Sequence, residues 1–159
     1  MQDIYKVLKD LNIDYIKHEH PPVYTCEEAD KYYKDIKGGK SKNLFIRNKK
    51  GDKHYLVIVE SSKMIDLKGL ANQLGENKLS FASERRLMEY LGIKSGAVSP
   101  FGLINDKQKV VEVIIDNNLM KCDRLHYHPN INTATLEIST EDFKKFLVWT
   151  GNSVSFFEI

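Results

Sequence analysis

Hydrophobic residues recur at helical spacing near the start of the chain, where Ile4, Val7, Leu8 and Leu11 share one face of a predicted amphipathic helix. Capping signals mark the other helices, since a side chain with an oxygen acceptor precedes each of them and a glycine often follows. These helices are predicted over residues 25–36, behind the capping box Thr25-Cys26-Glu27-Glu28 and before Gly38-Gly39, over 66–74 before Gly75, over 83–91 before Gly92, and from Ser139 or Thr140 through Trp149.

Strand-like segments lie between these helices. Lys49-Lys50-Gly51-Asp52 separates the segments 43–47 and 55–59 and predicts a hairpin turn. Residues 110–116 form a β-branched, apolar run that is typical of a buried strand, whereas the alternation over 132–138 predicts a strand with one solvent-facing side. Further short strands are predicted over 14–18, 79–81 and 153–157. The pattern therefore predicts a mixed α/β domain with mostly hairpin-connected strands.

Length and composition fit one globular domain over residues 1–159, because 42% of the residues are hydrophobic and 29% are charged. No apolar run approaches the ~20 residues that cross a bilayer. Residues 1–6 lack the basic start and apolar core of a signal peptide. Cys26 and Cys122 have no metal-ligand spacing and are interpreted as reduced thiols. We therefore expect a cytoplasmic protein without a membrane partner.

Positive charge is concentrated in residues 31–53, although the net charge of the whole chain is only +2. Nine lysines and arginines lie in this stretch, opposed only by Asp35 and Asp52. Such a stretch can bind phosphates, and Lys49 and Lys50 in the predicted turn are the candidate nucleic-acid contacts. The alternative is a solvated lysine-rich surface, which composition alone favours.

Two segments carry groups that suit the binding of a polar ester. Lys42, next to Asn43 at the start of a strand, can hold a carbonyl or phosphate oxygen through a charge-assisted hydrogen bond, unless it is one more surface lysine. The segment Gly96-Ala97-Val98-Ser99-Pro100, here called the 96–100 loop, combines a permissive glycine with a stiffening proline. Its N–H groups can stabilise an oxyanion, and the alternative is a plain turn.

Two histidines precede prolines. His128 is followed by Pro129 and is interpreted as a hydrogen-bonding residue at the rim of a pocket. His20, before Pro21-Pro22, either has a similar role or caps a turn. His126 and His128 are spaced as two possible metal ligands, but no carboxylate or cysteine cluster accompanies them, which argues against a metal site.

No pattern identifies a catalytic nucleophile. Ser99 is not in a Gly-x-Ser-x-Gly elbow, because Ala97 and Phe101 occupy the flanking glycine positions. Cys26 lies at a predicted helix start, where a thiol pKa can fall, but no base that would activate it is evident. The phosphate-loop and dinucleotide fingerprints are also absent. The candidate groups therefore suit a pocket in which water attacks a bound ester.

Taken together in their order along the chain, these segments resemble the YbaK/ProX family of aminoacyl-tRNA deacylases, the editing domains associated with prolyl-tRNA synthetase. Within that family the chain is most similar to the free-standing ProX branch, which acts on alanyl-tRNA carrying the proline anticodon. The resemblance covers nearly the whole chain and rests on the ordered set His20-Pro21-Pro22-Val23-Tyr24-Thr25, Lys42-Asn43-Leu44-Phe45, Leu79-Ser80-Phe81-Ala82, Leu91-Gly92, the 96–100 loop with Phe101-Gly102-Leu103, and His128-Pro129 with Asn132-Thr133-Ala134-Thr135.

The resemblance implies a compact mixed α/β fold, built around a barrel-like sheet flanked by helices, with neither a metal nor a cofactor. It implies hydrolysis of the ester that joins a wrong amino acid to the terminal ribose of tRNA(Pro), in trans. Lys42 and Asn43 would contact the substrate end, the 96–100 loop would line the pocket, and His128 would shape the aminoacyl site. Water activation by His128, by a backbone carbonyl or by the ribose hydroxyl remains open.

Chemistry assigns roles to the remaining loop residues. The amides of Gly96 and Ala97 are candidate oxyanion donors, and Val98, Phe101 and His128 are expected to form a wall that admits alanine and excludes proline. Two other functions remain open: a deacylase of cysteinyl-tRNA(Pro) from the same family, and a non-catalytic tRNA-binding or regulatory module. Prolyl-tRNA synthetase is a possible partner that the sequence does not identify.

Overall fold

A computed structural model describes residues 3–22 and 39–159 of the protein. The predicted helix over 25–36, with Cys26 and the first lysines of the basic stretch, lies outside these residues. The described elements are α1 (Ile4–Asp10), β1 (Ile16–Glu19), β2 (Ser41–Asn48), β3 (His54–Glu60), α2 (Leu67–Leu74), β4 (Leu79–Phe81), α3 (Glu84–Leu91), a 3-10 helix (Pro100–Asn105), β5 (Val111–Asp116), a second 3-10 helix (Asn117–Lys121), β6 (Arg124–Tyr127), β7 (Ala134–Ser139), α4 (Thr140–Thr150) and β8 (Val154–Phe157).

The strands form two sheets. A five-stranded sheet has the order β4-β2-β3-β5-β8, and a three-stranded antiparallel sheet has the order β1-β7-β6. In the larger sheet β2 is antiparallel to β3 and β4, whereas β3, β5 and β8 run parallel. The mixed α/β class is therefore confirmed, and the described strands form two sheets without closing into a barrel.

Hairpins connect fewer of these strands than the sequence predicts. Among the described strands, only β2–β3 and β6–β7 are sequential antiparallel neighbours in one sheet. The parallel pairs β3–β5 and β5–β8 require crossovers, and helices and loops provide them. The prediction of mostly hairpin-connected strands is therefore wrong.

The two faces of the larger sheet bury different sets of side chains, because successive residues of a strand point in opposite directions. Phe45, Leu56 and Val113 lie on one face, in the large core that includes residues of α1 and α4. Ile46 and Val57 lie on the other face, in a second core that packs against α2. Each fully buried side chain of this size contributes roughly 1.5–3 kcal/mol of transfer free energy.

Most of the predicted helix ends are confirmed by hydrogen bonds. The Ser83 hydroxyl oxygen accepts from the N–H of Arg86, and the Ser139 hydroxyl accepts from the N–H of Asp142. Asp66 precedes α2 as predicted, but its carboxylate accepts no capping hydrogen bond. No helix in the described part of the chain is long and apolar enough to cross a membrane.

Strand β7 differs from its prediction, because the residues Ala134 to Ile138 are buried on both faces. It is the central strand of the three-stranded sheet, so its polar side is also covered. Thr135 and Glu137 project from that side, where Thr135 contacts His20 and Glu137 contacts His18 and Arg124. The alternation correctly predicts a strand, but it does not show that polar partners cover the second face.

Candidate active site

The 96–100 loop connects α3 to the first 3-10 helix. Gly96 has φ of +89°, a left-handed conformation that glycine adopts without steric cost. Ser99 caps the 3-10 helix, because its hydroxyl oxygen accepts from the N–H of Phe101 at 3.1 Å, and Pro100 is the first residue of that helix. The sequence Ser-Pro therefore ends the loop and fixes its exit direction.

Two amide side chains contact the loop and the residue that follows it. The Asn43 Nδ2 donates to the carbonyl oxygen of Val98 at 3.1 Å, and the Ser41 hydroxyl donates to the Asn43 Oδ1 at 3.2 Å. The Asn130 Nδ2 lies 3.4 Å from the carbonyl oxygen of Phe101. The start of β2 and the connection between β6 and β7 therefore converge on the loop.

A pair of histidines lies beside this connection. The rings of His20 and His128 are 6.0 Å apart, centroid to centroid, in an edge-on arrangement. The Nε2 of His20 is 2.9 Å from the Thr135 hydroxyl, and its Nδ1 is 2.9 Å from the carbonyl oxygen of Pro21. The structure therefore brings both predicted histidines together and fixes the orientation of His20.

The protonation state of His128 follows from its partner. Its Nδ1 lies 2.9 Å from the carbonyl oxygen of Ala134, and a carbonyl only accepts, so Nδ1 carries the proton. The Nε2 of the neutral ring then has the free electron pair. Burial lowers the pKa of His128, and the neighbouring His20 acts in the same direction against the Ala134 hydrogen bond. The imidazole is therefore neutral at pH 7 and can accept a proton or a hydrogen bond.

An open groove of about 710 Å³ lies on the α3 side of the loop and includes Gly96 in its lining. Its walls carry two cations as well as apolar surface, and the lining residues are Glu84, Arg85, Met88, Ile93, Lys94, Ser95 and Gly96. A polar ligand lying in this groove would contact the backbone of Gly96 directly.

Lys42 projects away from the 96–100 loop. Its ammonium donates to the carbonyl oxygen of Lys63 at 2.8 Å, on the face of β2 that packs towards α2. Asn43, the next residue, points to the opposite face and contacts Val98. The structure thus brings Asn43, but not the Lys42 ammonium, into contact with the loop.

Two loop residues have partners that restrict their predicted roles. The N–H of Ala97 donates to the carbonyl oxygen of Lys94 at 3.1 Å, so Gly96 is the remaining backbone candidate for an oxyanion donor. The ring of Phe101 is fully buried in the core, edge-on to Tyr127 and Phe146. Phe101 therefore packs in the core and supports the loop. Of Val98 and Phe101, the two residues predicted to form a wall of the aminoacyl pocket beside His128, only Val98 is partly exposed.

Lys49 and Lys50 are exposed in the β2–β3 turn, at the opposite end of β2 from Asn43. Lys49 lies six positions after Asn43 in the sequence, a span of about 20 Å along the strand. Arg86 steadies the turn, because its guanidinium donates to the carbonyl oxygen of Gly51 at 2.9 Å. These lysines can therefore contact only a ligand that extends well beyond the histidine pair.

No described residue is arranged as a catalytic nucleophile. Ser99 is fully buried and uses its hydroxyl as a helix cap, while Cys122 is a partly buried free thiol. His126 lies in β6 and His128 is the first residue after that strand, so the two are close in sequence, as two ligands could be. In the described ranges, however, no three His, Cys, Asp or Glu side chains are grouped closely enough to hold a metal ion.

Three supporting residues were not predicted from the sequence: Ser41, Asn130 and Thr135. Ser41 lies two residues before Asn43 on the same strand, so the period of two was the signal that could have identified it. Thr135 and Asn130 depend on the pairing of β1 with β7 and on the path of the β6–β7 connection, which no local pattern encodes.

Comparison with known proteins identifies the family. The model of the aminoacyl-tRNA editing domain family matches residues 20–146. The chain belongs to this family. The editing domain contains every predicted site residue, from His20 to His128, and the family resemblance inferred from the sequence is confirmed.

Individual relatives match almost the whole of this chain. The prolyl-tRNA editing protein ProX of Acetoanaerobium sticklandii is 44% identical over 158 residues, covering 99% of this chain and 96% of that protein. The prolyl-tRNA synthetase associated domain-containing protein 1 of Danio rerio is 34% identical over 154 residues, 96% of this chain and 83% of that protein. A solved candidate trans-editing enzyme for prolyl-tRNA synthetase shares the fold, with a TM-score of 0.71 at 20% identity over 100% of this chain and 98% of that one.

The conformation of Gly96 leads to a prediction for this editing domain. Valine is strained at positive φ by about 1–3 kcal/mol, and its side chain would project beside the backbone that lines the groove. Gly96→Val is therefore expected to lower turnover far more than its loss of stability explains. The matched control is Gly75→Val at the end of α2, where φ is +72° and no atom lies within 4 Å of the added Cβ. Equal turnover of the two folded variants, measured beside their melting temperatures, would refute a role for Gly96 in the site.

The buried histidines predict that the folded protein loses stability as pH falls from 6.5 towards 4. Burial, assisted by the charge of Lys40, lowers the pKa of His126 to about 4. Between these pH values the unfolded chain binds the proton and the folded chain does not, so the free energy of unfolding decreases with falling pH. The loss from His126 reaches about 3 kcal/mol, at roughly 1.4 kcal/mol per pH unit.

Urea unfolding of wild type and His126→Gln between pH 7 and 4.5 measures this effect. The variant is expected to show the shallower pH dependence, because it has no imidazole at this position to protonate. His54 and His128, whose pKa values burial also lowers, keep some dependence in both proteins. Identical slopes for the two proteins would contradict the assignment to His126.

Proposed function

We propose that the protein is a trans-editing hydrolase that removes a wrongly attached small amino acid from the terminal ribose of tRNA(Pro). Alanine is the proposed amino acid. The observation that supports this proposal is a histidine pair, in which His128 is neutral, and a glycine loop held by the Asn43 amide, both inside an aminoacyl-tRNA editing domain. The similarity to the prolyl-tRNA editing protein ProX supports tRNA(Pro) as the substrate.

The reaction needs no covalent intermediate. A water oxygen attacks the carbonyl carbon of the aminoacyl ester and the oxyanion that forms is stabilised by the N–H of Gly96. The bond between that carbon and the ribose oxygen then breaks, the ribose oxygen takes up the proton that the attacking water has lost, and the free amino acid leaves. Asn43 keeps the loop in register through Val98, so the donor is positioned before the substrate binds.

His128 can act on the attacking water or on the aminoacyl side chain. Its Nε2 electron pair can accept a proton from water, or its ring can limit the size of the aminoacyl side chain. We propose the second role, because a ring tethered to the Ala134 carbonyl and packed edge-on to His20 forms a stiff wall. The vicinal ribose hydroxyl of the substrate then remains available to orient the water.

A panel of charged tRNA(Pro) species tests the proposed function. Alanine, serine, cysteine and proline esters are incubated with the protein, and release of the amino acid is measured. Fast release of alanine with proline spared supports the proposal, whereas preferential release of cysteine assigns the other substrate. Binding of tRNA without any ester release would instead identify a non-catalytic binding module.

The turn lysines are proposed to hold the acceptor stem through its phosphates, because Lys49 and Lys50 are exposed about 20 Å along β2 from the site. Replacing both by glutamine is expected to weaken tRNA binding. The slope of log K against log salt concentration is expected to become shallower, corresponding to the release of about one to two fewer counterions. Binding is measured at several salt concentrations, with Lys68→Gln and Lys121→Gln together as a charge-matched control. An unchanged salt slope would place the tRNA elsewhere.

An association with prolyl-tRNA synthetase is a further part of the proposal. Several relatives are named prolyl-tRNA synthetase associated domain-containing protein 1. A complex of the two proteins would capture a mischarged tRNA as the synthetase releases it. Co-sedimentation of the purified pair, with and without tRNA(Pro), tests this association directly.

A further inference from the structure

A buried carboxylate lies on the α2 side of the sheet, away from the histidine pair. Asp116 is the last residue of β5, and its side chain is fully buried. No step of the proposed reaction uses it. A buried charge is a weak source of stability, because its desolvation offsets much of what its partners contribute.

Four contacts surround this carboxylate. The Lys63 ammonium lies 3.0 Å from Oδ1 and 2.8 Å from Oδ2, the N–H of Glu60 donates to Oδ2 at 3.1 Å, and the N–H of Asn118 donates to Oδ1 at 3.1 Å. Burial acts to raise the pKa of Asp116, but these hydrogen bonds outweigh burial and hold it below the usual range. The group is therefore an ionised anchor at neutral pH.

The anchor fixes the turn that follows β3. Asp116 holds this turn at both ends, through the N–H of Glu60 and the ammonium of Lys63. Within the turn, the N–H of Lys63 donates to the carbonyl oxygen of Glu60 at 3.1 Å. The carbonyl oxygen of Lys63 is thereby held in place, and it accepts the Lys42 ammonium at 2.8 Å.

We infer that Asp116 is a positioning residue for Lys42 and acts through the Lys63 turn. The Lys42 ammonium has three N–H donors, and the Lys63 carbonyl engages one of them. Two donors remain for a phosphate or ribose oxygen of the tRNA end where it passes the start of β2, on the face of the strand opposite the 96–100 loop. A free lysine loses rotamer entropy when it is ordered, and the turn imposes that order before the substrate binds. This inference rests on the proposed function.

A double-mutant cycle on ester release tests the inference. Asp116→Asn keeps the size of the side chain but removes its charge, and it is expected to lower kcat at least fivefold. In a Lys42→Ala background the same change is expected to have no further effect on kcat, because no ammonium remains to be positioned. Independent effects that multiply in the double variant would overturn the inference, and so would wild-type kcat in folded Asp116→Asn.

Tyr55→Phe is the matched control for a merely structural effect. Tyr55 lies on the same face of the sheet and its hydroxyl donates to Glu76 at 2.8 Å, without a contact to the Lys63 turn. It is expected to lower stability and leave kcat unchanged. A fall in kcat for Tyr55→Phe as large as that for Asp116→Asn would overturn the positioning role.

If Asp116→Asn does not fold, a second variant tests the same inference. Lys63→Met removes the ammonium from a partly exposed side chain and leaves the backbone carbonyl in place, and the same loss of kcat and the same coupling to Lys42 are expected. The wild-type protein separates this inference from the proposed function. Failure of wild type to release any amino acid refutes the function, whereas wild-type activity with uncoupled variants refutes only the positioning role.

Discussion

A Lys42→Ala variant is expected to fold and to lose about 30- to 1000-fold in kcat/KM for the mischarged tRNA, equivalent to about 2–4 kcal/mol of transition-state stabilisation. The ammonium faces away from the 96–100 loop, so its expected partner is the backbone of the tRNA end at the start of β2. It is partly buried there, where a charge-assisted hydrogen bond is stronger than in water. Within the described part of the chain the ammonium donates to the carbonyl of Lys63, so removing it leaves one acceptor near the surface and has a small cost in stability.

Single-turnover deacylation and thermal melting of the same preparations measure this prediction. Lys68→Ala is the matched control, because Lys68 is an exposed lysine of α2 on the same side of the sheet. Lys42→Arg keeps the charge but changes the donor geometry, and an intermediate rate is expected from it. Near-normal turnover by folded Lys42→Ala would defeat the assignment of Lys42 and, with it, the role proposed for Asp116.

Local signals predict the elements of this fold well. Ser83 and Ser139 cap their helices, and Gly51 lies in the turn between β2 and β3, because each of these effects depends on a few neighbouring residues. The division into two sheets and the parallel pairing of β5 with β8 depend on contacts between distant segments. Burial of the second face of β7 likewise needs His18 of β1 and His20 just after it, which are more than a hundred residues away along the chain.

The candidate site shows the same division. The sequence identifies His20, Asn43, the 96–100 loop and His128 as one set. The structure joins Asn43 to the loop and His20 to His128, and Asn130, two residues after His128, contacts Phe101 at the end of the loop. It also identifies Lys42, but the two-residue period of a strand sends adjacent side chains to opposite faces. Applying that period to Lys42-Asn43 would have separated the two residues before the structure was known.

Supporting residues are harder to find in the sequence. Asp116 follows the apolar run of β5, so the sequence pattern indicates only the polar end of a strand. Its link to Lys42 passes through Lys63, which is 53 residues away in sequence. The amide of Ala97 illustrates the opposite case, because a loop that suggests a free donor uses that donor in its own turn. Roles of this kind depend on hydrogen-bond partners, and only the folded arrangement specifies them.

Replacing His128 by alanine is expected to reduce the preference for alanyl-tRNA over prolyl-tRNA by roughly 10- to 200-fold, the discrimination that a small difference in apolar volume provides. Proline differs from alanine by a ring that joins the side chain to the nitrogen. Packed walls exclude that volume, because they do not yield without strain. The imidazole is suited to this task, since Ala134 tethers its Nδ1 and the ring of His20 lies edge-on at 6.0 Å.

Deacylation of alanyl-, seryl-, cysteinyl- and prolyl-tRNA(Pro) by wild type and variant distinguishes a size gate from a general base. Loss of a gate changes the ranking of the substrates, whereas loss of a base lowers every rate alike and keeps the ranking. His128→Ala also leaves the Ala134 carbonyl without its donor, at a cost of about 1–3 kcal/mol in stability. His128→Asn is the matched variant, because its amide can donate to that carbonyl while the ring volume is lost. If His128→Asn keeps the wild-type ranking at uniformly lower rates, His128 acts as a base; if wild type itself cleaves prolyl-tRNA as fast as alanyl-tRNA, no sieve exists at this site.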